Sequence, residues 1–299
     1  MNETPLIAVC GATGQQGRAV IASLLARQKF AIRALSRQPD GDAARRLRDQ
    51  GVSVVQADLD DPASLIAAFA GAHGVFGVTQ PWSPDYKRAD PAREIAQGRH
   101  IVAACETNGT RHLVLSTGIR FSDKPSGIPH ADSKIVVEDH LMSRPVPWTL
   151  LRPGTFMDNI GQPFFPVKNT VIRGFTDGDA KLPFVCCRDI GEAAATVFEQ
   201  GERWTGKAIT LVGAFASCDQ LAADLGQLRG KKYRYKSAPA FLMRLFVPEF
   251  YKMRRGFEAL GRPPYPHREA IDEALRETRA LVPDAWGLPE YLRQASLNG

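Results

Sequence analysis

The chain has 299 residues, 44% hydrophobic and 23% charged, and its 38 Lys and Arg against 32 Asp and Glu give a formal net charge of +6. This composition suits a globular protein with a sizeable core and is wrong for a disordered chain. No apolar run approaches the ~20 residues of a membrane span, and the opening MNETPLIAVCGATG has no basic stretch ahead of an apolar one. Neither a secretory leader nor a membrane partner is therefore expected, and the expected location is cytoplasmic. The basic residues are interspersed with acids and accompany no nucleic-acid motif, which argues against a nucleic-acid partner. Cys10, Cys105, Cys186, Cys187 and Cys218 form no CxxC pair and no ligand spacing with histidine. No metal site or disulfide framework is expected, and Cys186 and Cys187 read as packed thiols on a strand.

In chain order, the first strand is expected at residues 6–10, followed by a glycine-rich turn and a helix at 15–27. A strand at 30–35 precedes a helix at 43–50 that Gly51 is suited to stop. Next come a strand at 52–56, a short helix at 62–69 with Pro62 in its first turn, and a strand at 75–79. A long helix at 93–107, a strand at 113–116, a helix at 133–142 and a strand at 148–151 complete the series. Short apolar runs alternating with amphipathic segments are the pattern of βα units around a parallel sheet. After Pro153 the rhythm breaks: residues 154–188 hold few periodic runs, 189–200 read as a helix, 207–212 as a strand, and the remainder from 215 as helical. The expected fold is α/β, a Rossmann doubly wound parallel sheet with a smaller, mainly helical C-terminal lobe. Residues 1–153, with 189–214 returning to them, would form the nucleotide-binding domain, and 154–188 with 215–299 the substrate or cap lobe.

The segment Gly11-Ala-Thr13-Gly14-Gln15-Gln16-Gly17 lies between the first strand and the first helix. Gly11 permits the tight turn, Gly14 lets backbone N–H groups approach a pyrophosphate, and Gly17 lets the helix pack closely. Thr13, Gln15 and Gln16 join the three glycines as expected dinucleotide contacts. The second strand runs into Ser36-Arg37-Gln38, with no carboxylate before Asp40. NAD-specific folds place an acid there for the ribose 2′-hydroxyl; Arg37 instead offers a guanidinium to a 2′-phosphate. The expected cofactor is NADP(H). After the third strand, Asp58 and Leu59 are assigned to the adenine amino group and ring, and Asp60 or Asp61 to capping the next helix. Thr79, Gln80 and Pro81 end the fourth strand, where the nicotinamide end is expected.

GATGQQG near the start, SRQP after the second strand, ADLDD after the third and LRPGTFMDN in the middle resemble the NmrA-like branch of the atypical short-chain dehydrogenases, most strongly over residues 5–160. The resemblance implies an extended Rossmann fold that binds NADP at the matched positions. Its members range from redox-sensing regulators to reductases of quinones and other small aromatics. Catalytic relatives carry Tyr-x-x-x-Lys on the helix after the fifth strand, where lysine lowers the tyrosine pKa. The matching stretch here is His130-Ala-Asp-Ser-Lys134, the pattern of sensor-type members. Lys134 would hold the nicotinamide ribose hydroxyls.

His130 is the candidate proton donor, or else a loop or helix-entry residue. Ser116 matches the family's substrate-orienting hydroxyl, although it and Thr117 equally suit ordinary strand termination. The resemblance brings Thr155 and Phe156 towards the nicotinamide, in a cleft between the lobes that would take a small-molecule substrate. Tyr86 is a substitute phenol, a lid aromatic or a surface-packing residue. Two functions follow: an NADPH-dependent oxidoreductase transferring hydride to an aromatic, quinone-like or carbonyl/imine acceptor, and a dinucleotide sensor acting through a protein partner. For the sensor, Lys231, Lys232, Arg234, Lys252, Arg254 and Arg255 would serve as a docking surface; otherwise they form an ordinary solvated face.

Overall fold

The structure, a computed structural model, describes residues 4–83, 88–120 and 125–295. Strands β1 (Leu6–Val9), β2 (Ala31–Ser36), β3 (Ser53–Gln56), β4 (Gly74–Val78), β5 (His112–Ser116) and β6 (Trp148–Pro153) alternate with helices α1 (Gln15–Arg27), α2 (Asp42–Asp49), α3 (Pro62–Phe69), α4 (Pro91–Thr107) and α5 (Pro129–Met142). Beyond them come β7 (Thr155–Phe156), β8 (Val167–Lys168), β9 (Val171–Gly174), β10 (Lys181–Val185), α6 (Cys187–Gln200) and β11 (Lys207–Leu211). The chain then forms β12 (Ala214–Ser217), α7 (Cys218–Arg229), β13 (Arg234–Ser237), α8 (Ala240–Phe246), α9 (Pro248–Gly261), α10 (Arg268–Leu281) and α11 (Leu288–Gln294).

The chain divides into two compact units. One comprises residues 1–123, 129–152 and 190–209; the other comprises 124–128, 153–189 and 210–299. The first is built on a seven-stranded sheet of order β11-β6-β5-β4-β1-β2-β3. The registers of β1 with β2 and β4, β2 with β3, β4 with β5 and β5 with β6 are all parallel. Side chains alternate across a strand, so Ala8 and Cys10 join one core layer with Leu65 and Phe69 of α3, Ile101 and Val102 of α4, and Val137 and Leu141 of α5. On the opposite face α1 and α6 meet: Gly191 lies against the Ala19 backbone, and Arg27 pairs with Glu192 and Glu199. Strand order reverses between β1 and β4, and in such sheets the crevice at the carboxyl ends there is the ligand position.

The second unit has its own core, in which Phe165, Phe175, Leu182, Phe184, Leu221 and Leu225 pack together. Besides helices α7 to α11 it contains two three-stranded sheets, β12-β10-β7 and β13-β9-β8. The sequence does not register these strands: β7 and β8 are only two residues long, and the others lie outside the alternation of apolar runs with amphipathic segments that marks the strands of the first unit. Cys186 and Cys187 are buried, as are the other three cysteines; they sit at the junction of β10 and α6 rather than on a strand. Among the described residues no helix is long and apolar enough to cross a membrane, and no cluster of three or more His, Cys, Asp or Glu is arranged to hold a metal.

Candidate functional site

The glycine loop joins β1 to α1 at the strand-order reversal. Gly11 has φ +59, a left-handed value that L side chains resist, and a Cβ there would lie 2.9 Å from Val78 Cγ1. A Cβ on Gly17 would collide with the Gly11 carbonyl and the Ala12 Cα, so glycine at 17 lets the first turn of α1 fold back on its own loop. The N-cap of α1 is Gly14, with no side-chain cap and no acid in the first turn. By contrast Asp61 caps α3 through the Ala63 and Ser64 N–H groups, and Asp90 caps α4 through the Arg93 N–H. An uncapped helix start beside backbone that needs glycine presents N–H donors and partial positive charge to an anion. The loop therefore fits a dinucleotide diphosphate.

At the end of β2, Ser36 is buried and Arg37 exposed. Arg37 lies close enough to Asp60 for its charge to favour that carboxylate. Asp60 is not a helix cap, that role falling to Asp61 alone. It accepts from Arg93 Nε at 2.9 Å, from Arg93 Nη2 at 2.6 Å and from Gln97 Nε2 at 2.8 Å. Partial burial opposes its ionisation, but these bonds outweigh it and hold the carboxyl below the usual range. Asp58 Oδ1 accepts from the Asp60 N–H at 3.1 Å and so folds the loop after β3, while Leu59 packs against the core.

Ser116 ends β5 with its hydroxyl donated to Gln16 Oε1 at 2.6 Å. Thr117 Oγ1 donates to Glu138 Oε1 at 2.6 Å, and the buried Glu138 also holds Arg120 and Arg152. At the end of β4, Thr79 Oγ1 donates to Glu94 Oε1 at 2.7 Å, and the Gln80 N–H donates to Gln97 Oε1 at 3.0 Å; Pro81 follows, half-buried. Glu94 further accepts from the Ser133 hydroxyl and the Lys134 ammonium. His130 lies in the first turn of α5, beyond the expected start of that helix. Its imidazole stacks on Trp82, with centroids 5.6 Å apart and planes at 28°.

The first unit thus gathers Gly11, Thr13, Gly14, Gln15, Gln16, Gly17, Ser116, Thr79, Gln80, His130 and Lys134 around the ends of β1, β4 and β5. Thr155 and Phe156 form β7 of the second unit, and Thr155 Oγ1 is buried with no hydrogen-bond partner among the described residues. Tyr86 lies outside the described residues. Of the proposed basic docking residues, Arg254 is buried and paired with Asp177 and Glu258, which removes it from any docking surface. Glu94, Gln97 and Glu138 escape sequence reasoning, because charged and amide residues inside an amphipathic helix read as its solvated face. Glu94 stands four residues before the buried Gly98 and Glu138 three before the buried Leu141, but no pattern marks either carboxylate as inward.

The family model described as the NmrA-like family matches residues 3–282. An NmrA-like family domain-containing oxidoreductase, FrzB of Cladobotryum sp, is 31% identical over 255 residues, covering 78% of this chain and 76% of the relative. An NAD(P)H azoreductase of Xenophilus azovorans is 28% identical over 291 residues, covering 96% and 89%. The solved triphenylmethane reductase of Citrobacter sp. complexed with NADP(H) superposes with a TM-score of 0.73 at 26% identity, covering 97% of this chain and 99% of that one. A glycine loop of this spacing on this sheet order, and a family model matched from residue 3 to residue 282, agree: the chain belongs to the NmrA-like family.

Proposed function

We propose that this chain is an NADPH-dependent reductase whose acceptor is a small conjugated aromatic or quinone-like compound. The carrying observation is the uncapped start of α1 behind a glycine loop, with Arg37 at the end of β2 where an NAD-specific fold would place a carboxylate. Gly11, Gly14 and Gly17 open the loop to the diphosphate, with Thr13, Gln15 and Gln16 alongside. Arg37 takes the 2′-phosphate; Asp58 and Leu59 flank the adenine; Thr79, Gln80 and Pro81 border the nicotinamide end. Lys134 donates to the ribose hydroxyls. Thr155 and Phe156, which belong to the second unit, are assigned to the ligand on the resemblance alone. The relatives named for azo and triphenylmethane reduction support an extended π-system as acceptor.

NADPH supplies the hydride when bound. The residues' work is to orient the reactants and shed water, because a delocalised acceptor spreads the negative charge it gains and asks less of a dedicated acid. His130 stands where catalytic relatives of the resemblance carry tyrosine and is the available proton donor. Steady-state oxidation of NADPH against quinones, azo dyes, triphenylmethane dyes, aldehydes and imines tests the reading; tight NADPH binding with no turnover on any of them would overturn it. That outcome would favour the second reading, a dinucleotide sensor with a protein partner, for which His130 in place of tyrosine is the motive.

A further inference from the structure

Glu94 is fully buried, in the first turn of α4, in a helix whose outer face is free to carry charge. Leaving a carboxylate in such a place is costly unless it is paired and hydrogen-bonded. Its two oxygens meet three donors from two other elements: Thr79 Oγ1 at 2.7 Å from the end of β4, and the Ser133 hydroxyl and Lys134 ammonium from α5. The approach of the helices makes this meeting possible. Gly98 of α4 lies against Val137 of α5 so closely that a Cβ on it would collide with the valine. One turn earlier on each helix stand Glu94 and Ser133, with Lys134 beside it, so that contact delivers the carboxylate to the ammonium.

The stem of Lys134 runs past Gly118, just beyond β5, where a Cβ would stand 3.4 Å from Lys134 Cδ, an ordinary contact distance. An ammonium has three N–H donors. With one given to Glu94, the others are aimed by a partner that is itself locked to β4 through Thr79. We infer that Glu94 is a positioning residue for Lys134: it sets where the ammonium stands and balances its charge, so that the lysine serves the cofactor as an aimed hydrogen-bond donor. This rests on the reading of Lys134 as a ribose-binding residue. It also assigns Ser133 and Thr79 a role in holding Glu94, apart from any contact of their own with a ligand.

The test is a double-mutant cycle on NADPH affinity, read by fluorescence titration with the purified full chain, using Lys134→Met, Glu94→Gln and both together. Lys134→Met is expected to weaken NADPH about tenfold and Glu94→Gln about fivefold, with the double variant no weaker than Lys134→Met, as for residues acting through one interaction. NMR of lysine ammonium groups adds a readout that a merely structural role would not move. A slowly exchanging resonance, assigned by its absence in Lys134→Met, is expected to vanish in Glu94→Gln. Should Glu94→Gln not fold, Glu94→Met/Lys134→Met replaces both charges with apolar groups, an exchange buried ion pairs often tolerate, and is expected to bind like Lys134→Met. Wild-type affinity in Glu94→Gln, a persistent ammonium resonance, or a double variant several-fold weaker than Lys134→Met would each overturn the inference and leave the lysine reading intact. Wild-type affinity in Lys134→Met would overturn both.

Discussion

The hydroxyl of Ser116, at the end of β5, donates to the side-chain carbonyl of Gln16, in the first turn of α1, at 2.6 Å. The bond crosses from the fifth strand to the first helix and ties a candidate substrate-orienting residue to the glycine loop. A hydroxyl so engaged serves cofactor geometry first. Ser116→Ala is expected to weaken NADPH binding about three- to tenfold, the worth of about one hydrogen bond, by releasing Gln16. A titration showing unchanged affinity together with a collapse of turnover would instead assign Ser116 to the acceptor.

Arg37 is exposed and beside Asp60. Reversing its charge would set two carboxylates where a 2′-phosphate is expected. Arg37→Glu is expected to reduce NADPH affinity at least tenfold, about 1.4 kcal/mol, and to leave NADH affinity within about threefold. Equal affinity of the wild-type chain for NADPH and NADH would defeat this assignment outright.

His130 stacks on Trp82 at the start of α5. The stack is worth about 0.5–1.5 kcal/mol, so His130→Ala should leave the fold intact and cofactor affinity near that of the wild type. In a working reductase the same change is expected to slow acceptor reduction at least tenfold, the low end for loss of a general acid. Stopped-flow traces of NADPH oxidation decide it; an unchanged rate removes His130 from proton transfer.

Gly17 leaves no room for a side chain, since a Cβ would meet the backbone of Gly11 and Ala12. The obstacle is main chain, so relief requires moving the loop itself. Gly17→Ala is expected to cost about 1–3 kcal/mol of stability and to abolish tight NADPH binding. Chemical denaturation alongside titration checks it, and a variant matching the wild type in both would contradict the packing described.

Burial, with the charge of His73 adding, pulls His112 down to about 4 from an ordinary 6.5. Its Nε2 meets Thr149 Oγ1 at 2.8 Å, and that hydroxyl donates onward to the Trp204 carbonyl, so His112 is the neutral donor of the pair. The unfolded chain takes up a proton below 6.5 and the folded chain only near 4. Stability from this residue is therefore full above pH 6.5 and falls as the pH drops towards 4, by up to about 3 kcal/mol. His112→Asn is expected to show a shallower loss over that window in urea unfolding curves; parallel losses in the two chains would refute the attribution.

Much of the first unit was legible because its signals are local. Short continuous apolar runs, the spacing of Gly11, Gly14 and Gly17, Pro62 at a helix start and the missing acid after β2 each act within a few residues of where they are read. Asp61 as the cap of α3 was narrowed only to a choice with Asp60, because both precede Pro62. The structure separates them by sending Asp60 to Arg93 and Gln97 of α4, 33 and 37 residues away. The helix after β5, read from the sequence as starting near residue 133, starts at Pro129, a residue suited to a first helical turn, and this places His130 at the helix entry.

By itself the sequence determined the parallel α/β order of the first unit, the glycine loop and the charge that follows β2, since each is a matter of neighbours along the chain. Only the tertiary structure decided that Glu94 faces Lys134, that Ser116 is bound to Gln16 and that the second unit carries two small sheets. A carboxylate on an amphipathic helix looks solvated until packing shows which face it occupies. Here the close approach of Gly98 to Val137 turns that face inward, a contact between residues far apart in the chain that no local pattern encodes.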